Sequence, residues 1–130
     1  MRKLALLTAS LTLGIAGVAL AATTFRFSGK TSQKLGITLV LHGQMLDMHY
    51  AAMYSCTGGG RPSRPQPTDV VDAVLHHGSW SGSETVGHND VVHTSGKIVG
   101  RTATGNFSET YTSRGGHICR SGKVSFTARR

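Results

Sequence analysis

Met45, Met48, His49 and Met53 place three thioethers and an imidazole within a nine-residue stretch. That donor set suits copper, because Cu(I) prefers soft ligands. On a strand Met45, His49 and Met53 share a face and Met48 takes the other, so one ion would need a further donor from a loop or a neighbouring strand. The competing reading is that the methionines fill gaps in a core with His49 at its edge. A second cluster, His88, Asp90 and His93, lies downstream of His76 and His77. Two imidazoles and a carboxylate match the three-ligand-plus-water pattern of catalytic zinc. His88 and Asp90 would share a strand face and His93 would not, so a turn at Gly87 or Asn89 must bring them together. The alternative is a loop with surface histidines.

Other chemistries fit less well. A serine nucleophile elbow needs Gly-x-Ser-x-Gly, whereas Gly78-Ser79-Trp80-Ser81-Gly82 has tryptophan at the nucleophile position. Glu84, Asp90 and Glu109 are candidates for a carboxylate pair, but nothing in their spacing makes two of them meet. Gly116 to Lys123 imitates a phosphate loop with one residue too many and with Val124 where Ser or Thr should hold magnesium. The chain is therefore expected to be non-enzymatic, with no resident cofactor. Trp80, the single tryptophan, either stacks on a ligand from a loop or folds back over the core, and burial is the commoner use of such a residue.

The elements that must position these residues begin after a leader. Arg2 and Lys3, the apolar run Leu4 to Leu20 and the small residues Ala19-Leu20-Ala21 have the three parts of a cleavable signal peptide, taken as residues 1–22. A single domain over 23–130 follows, expected to be secreted or periplasmic, with no membrane span once the leader is removed. In that compartment Cys56 and Cys119, the two cysteines of the chain, read as a disulfide. The chain carries fourteen Lys and Arg against six Asp and Glu. Removal of Arg2 and Lys3 leaves a net charge of about +6. Such a surface favours anionic partners. The basic residues look scattered along the sequence, without the dense block of a nucleic-acid arm, so no specific nucleic-acid binding is expected.

Period-two alternation dominates the mature region. Phe25 and Phe27, then Ile37, Leu39 and Leu41, mark half-buried strands. Leu46, Met48, Tyr50, Ala52, Tyr54 and Cys56 line one face of the next, opposite Met45, Asp47, His49, Ala51, Met53 and Ser55. Gly58 to Pro67 holds all three prolines and reads as an exposed loop. A strand then runs from Val70 to Leu75 and ends in a turn over Gly78 to Gly82. Val92 to Ala103 and Phe107 to Thr112 form a hairpin around Gly105-Asn106, with Ile98, Phe107 and Tyr111 inward. The last strand puts Val124, Phe126 and Ala128 on one face and Lys123, Ser125, Thr127 and Arg129 on the other. For Cys119 to point inward as well, the alternation must slip once, at Gly122. The fold class is all-β, a small antiparallel sandwich or barrel.

The segments Phe27 to Gln33, Gly96 to Gly100 and Cys119 to Arg129 resemble small exported bacterial β-sandwich domains of uncharacterised function, in which a Cys-x-Ser/Thr-Gly closing strand follows a glycine-spaced one. The resemblance spans nearly the whole mature chain and implies the fold and the disulfide, with no catalytic residues to carry over. The functional expectation is an envelope-binding or interaction module whose partner is an anionic envelope polymer or an envelope protein. The alternatives are a periplasmic copper or zinc binder and a secreted enzyme inhibitor.

Overall fold

The computed structural model describes residues 23–58, 65–67, 71–87 and 89–130. The leader expected over 1–22 and His88 lie outside them, as does most of the proline-rich segment. Eleven strands follow one another: β1 (Thr24–Thr31), β2 (Gly36–His42), β3 (Met45–Ala52), β4 (Ser55–Cys56), β5 (Gln66–Pro67), β6 (Val71–Val74), β7 (Ser79–Val86), β8 (Asp90–Val99), β9 (Thr102–Thr112), β10 (Ile118–Arg120) and β11 (Val124–Arg129). All pairings are antiparallel.

The long strand β9 explains the architecture. One edge pairs with β8; the other pairs with β11 over Thr102 to Phe107 and with β10 over Thr110 to Thr112. The sheet continues from β11 through β1, β2 and β3 to β6 and β5, and from β8 to β7. It curls until its end strands β6 and β7 are neighbours, joined by a tight turn at His77 and Gly78. The expected slip lies where it should: Gly122 takes φ 67° between β10 and β11, and Cys119, Val124, Phe126 and Ala128 are all buried.

Inward residues from both halves of the curled sheet form one core that includes Phe27, Leu39, Leu46, Met48, Val92 and Phe107. Within it the cross-strand row Trp80, Gly96, Gly105 and Phe126 runs over β7, β8, β9 and β11. The indole covers the two glycines and lies nearly parallel to the Phe126 ring, 17° between planes and 6.3 Å between centroids. A Cβ on Gly96 would run into the Trp80 ring and the Thr104 carbonyl; one on Gly105 would meet Trp80, Phe126 and the Ser95 carbonyl at 3.0 Å or less. Thr94 accepts the indole N–H at 3.0 Å, so the buried polar end of Trp80 is satisfied.

Two turn expectations are corrected by this row. Gly78 to Gly82 is largely the start of β7, with Trp80 in the strand and buried. Gly105-Asn106 is interior to β9, and the hairpin turns instead at Gly100, φ 59°, and Arg101. Gly78 still serves the reversal into β7, whereas Gly105 serves close packing under Trp80 and Phe126. The proline-rich segment is also not wholly irregular: Gln66 and Pro67 pair with Ala52 and Ala51.

Cys56 and Cys119 face each other in register, bonded at 2.01 Å, and close 63 residues of chain. Nearby, the Gln33 amide acts as a backbone surrogate. Its oxygen accepts from Met53 N at 2.8 Å and its nitrogen donates to Met53 O at 3.1 Å, tying the β1–β2 turn to the break between β3 and β4. The chain-entropy model gives the disulfide roughly 4 kcal/mol. Urea unfolding of Cys119→Ser should show a loss of about that size, and a loss under about 1 kcal/mol would contradict a closing role. Gly96→Ala should cost about 1–3 kcal/mol through overpacking, read as a lowered melting temperature with altered tryptophan emission. An unchanged emission spectrum would mean that the indole does not lie on this glycine.

Candidate binding face

The strands separate the sequence candidates for metal. Met48 is fully buried in the core, whereas Met45 and Met53 are 45% and 37% exposed and His49 is exposed on the outer side of β3. At about 3.3 Å per residue along a strand, four-residue spacing keeps Met45, His49 and Met53 too far apart to share one ion. Asp90 pairs with the buried Val86, while His93, three residues on, is exposed beside Ser83 on the other face. Among the described residues no three or more His, Cys, Asp or Glu side chains are grouped to hold a metal ion.

Of the candidate carboxylates, Glu84 and Glu109 stand in one cross-strand row with Val92 between them, each with different partners. Glu109 is 3% exposed in the interior and accepts hydrogen bonds from Tyr50 at 2.9 Å and Tyr54 at 2.7 Å. Those tyrosines are fixed by Phe107, stacked on Tyr50 at 3.9 Å, and by Tyr111, edge-on to Tyr54 at 5.0 Å. Hydroxyl donors of this kind satisfy a buried carboxylate, which would otherwise be costly. Glu84 instead reaches across from β7 and accepts the Asp72 backbone N–H at 2.7 Å.

That contact marks a split seam. His76 and Ser79 exchange two backbone hydrogen bonds beside the turn, but no further backbone bond joins β6 to β7 among the described residues. The strands diverge around a groove of about 260 Å³ lined by Met45, Val74, His76, Glu84 and Thr94 among others. Asp72 also lines the groove and is paired with Asp47 across β3 and β6, and His42 lies 3.7 Å from Asp47. A side-chain hydrogen bond with Asp47 is the main cause holding the Asp72 carboxyl above its ordinary value. Desolvation and the negative charges of Asp47 and Glu84 add to it, and His49 opposes it.

The outer side of β7, β8, β9, β11 and β1 has a different character. Cross-strand partners share a face, so the registers define its rows. One row is Ser79, Lys97, Thr104, Thr127 and Lys30; the next is Ser81, Ser95, Asn106 and Ser125. Ser83, His93 and Ser108 form a third, and Thr85, Val91, Thr110 and Arg120 a fourth. On the far side of the lysine row, Val99 aligns with Thr102, Arg129 and Ser28. No carboxylate stands in any of these rows. Asp47, Asp72 and Glu84 all lie along β3, β6 and the seam.

Four of the cations that look scattered in sequence, Lys30, Lys97, Arg120 and Arg129, are thus brought onto one face by the fold. The missed signal is alternation itself: Ser79, Ser81, Ser83 and Thr85, like Thr102, Thr104, Asn106, Ser108 and Thr110, are polar at every second position. Such a surface can donate hydrogen bonds from hydroxyl, amide and ammonium groups while offering no carboxylate to repel an anion.

No protein-family model matches the chain, and no curated protein is similar to it. Among the described residues no helix is long and apolar enough to cross a membrane, a statement that leaves β-barrels aside.

The Asp47–Asp72 pair gives a pH test. The folded Asp72 pKa lies above the unfolded value near 3.8, so its proton favours folding at low pH, and that contribution is lost as pH rises through the folded pKa. Asp72→Asn should therefore raise the melting temperature at pH 7, and the gain should vanish near pH 3. A gain of equal size at both pH values would show that carboxylate repulsion is not the cause.

Proposed function

We propose that the protein is an exported, non-enzymatic binding domain whose partner is an anionic polymer of the cell envelope, held on the outer face of β7, β8, β9, β11 and β1. The observation that carries this reading is the placement of Lys30, Lys97, Arg120 and Arg129 among hydroxyl side chains in rows without a carboxylate, with Lys123 beside them at the concavity lined by Ser81, His93 and Asn106. The signal-peptide pattern of residues 1–22 and the disulfide support the compartment, since disulfides persist in oxidising surroundings. The net positive charge supports the sign of the partner.

Each exposed charge contributes only about 0.2–1 kcal/mol, so a single contact is weak and a repeating polymer gains by engaging several at once. Binding must then weaken with salt, as the Debye length falls from about 10 Å at 0.1 M to about 3 Å at 1 M. Binding to immobilised polygalacturonate and teichoic acid, with neutral dextran as control, tests this. The wild-type protein should bind an acidic polymer at about 50 mM salt, and Lys97→Glu/Lys123→Glu should bind at least tenfold more weakly while melting within a few degrees of it. Equal retention on dextran, or unchanged binding by the double variant, would contradict the proposal.

A further inference from the structure

Within that face, the geometry points to a discrete subsite for one oxyanion-bearing sugar unit, centred on Asn106, His93 and Lys123. The inference rests on the polymer-binding reading and adds what it leaves open, namely which group of the polymer is recognised and where.

The three side chains line one shallow concavity of about 350 Å³ with Ser81, Ser83 and Ser108. Its walls are neighbouring rows of β7, β8 and β9, with Lys123 entering from the segment before β11. Two of its donors, Asn106 and His93, are held by neighbouring side chains. Asn106 keeps its backbone position because its carbonyl accepts from the buried Thr94 hydroxyl at 3.1 Å, the same hydroxyl that holds the Trp80 indole. The Asn106 side-chain oxygen accepts from Ser95 at 3.4 Å, which leaves the amide N–H groups as donors toward a ligand. His93 contacts Ser83 through Nδ1. With the serine donating, Nε2 carries the hydrogen and becomes a second donor. Lys123 supplies a third, charged donor, and no carboxylate lines the concavity.

Three donors and no carboxylate suit a carboxylate or a phosphate, and charge-assisted hydrogen bonds are about twice as strong as neutral ones. The serine hydroxyls, able both to donate and to accept, match ring hydroxyls of the sugar that carries the anion. The concavity has no aromatic platform, so recognition comes from charge and hydrogen bonding rather than stacking. The predicted affinity for a single sugar is correspondingly in the millimolar range, about −4 kcal/mol.

The test titrates the oxidised protein with D-glucuronate, glucose 6-phosphate and glucose while following amide chemical shifts. Saturable shifts of Ser83, His93, Ser95, Asn106 and Ser108 are expected with an acidic sugar and not with glucose. The stronger of the two acidic ligands identifies the anion as carboxylate or phosphate. Asn106→Asp, nearly isosteric but with donors replaced by a negative acceptor, should weaken binding more than tenfold with the rest of the spectrum intact. Lys123→Gln provides a second variant with the same direction of effect. Equal response to glucose, shifts located elsewhere, an unaffected Asn106→Asp protein, or no saturation up to about 50 mM would overturn the subsite. If an acidic polymer still bound in a salt-sensitive way, the subsite alone would fall; if no acidic polymer bound, the wider reading would fall with it.

Discussion

The indole of Trp80 lying against Gly96 and Gly105 is the contact on which the rest of the structure depends. It exists because two adjacent strands lack side chains at one inward position, so that a ring can rest on the backbone of β8 and β9 with Phe126 beyond it. The next inward position is Thr94, whose hydroxyl accepts the indole N–H and bonds the Asn106 carbonyl. One buried network therefore sets the inner packing of four strands, and the side chains on their reverse side are those of the binding face. Packing and recognition are two sides of the same residues' alternation.

Closure of the curled sheet comes from different devices at its ends. The disulfide and the Gln33 amide hold the region around β4 and β10, where the chain crosses from the end of β3. At the seam a side chain replaces a backbone partner, Glu84 capturing the Asp72 N–H where the ladder between β6 and β7 has stopped. Drawing Glu84 there, together with Asp47 and Asp72 alongside, concentrates negative charge at one edge. The outer rows of β7 to β1 are left with cations and hydroxyls. The same chain thus presents two unlike surfaces that meet along β7, where Ser81 and Ser83 line both the seam groove and the outer concavity. On the proposed reading, the acidic seam would repel an anionic polymer that meets the lysine rows.

Much of this was legible in sequence wherever burial imposes a period of two. The inward set of β3, Leu46, Met48, Tyr50 and Ala52, and that of β11, with the slip at Gly122, follow directly from alternation. The disulfide follows from two cysteines and an export-type leader. Turn chemistry was less readable, because glycine marks chain reversal at Gly100 and close packing at Gly96 and Gly105. Only the positions of the partner side chains, Trp80 and Phe126, separate the two uses. The candidate face was hidden for a related reason. Lys30 and Lys97 are far apart along the chain and reach one row of one face only through the registers of β8, β9, β11 and β1. Met45, His49 and Met53 show the converse: close in sequence, they stand about 13 Å apart in turn along an extended chain.

The central claim is that one face, and not the seam, meets an acidic polymer. Hydrogen exchange of the oxidised protein with and without a saturating acidic polysaccharide at low salt tests it most directly. Added protection is predicted over β7, β8, β9 and β11, with β3 and β6 unchanged. Protection confined to β3, β6 and the seam groove, or no change anywhere under conditions of demonstrated binding, would contradict it.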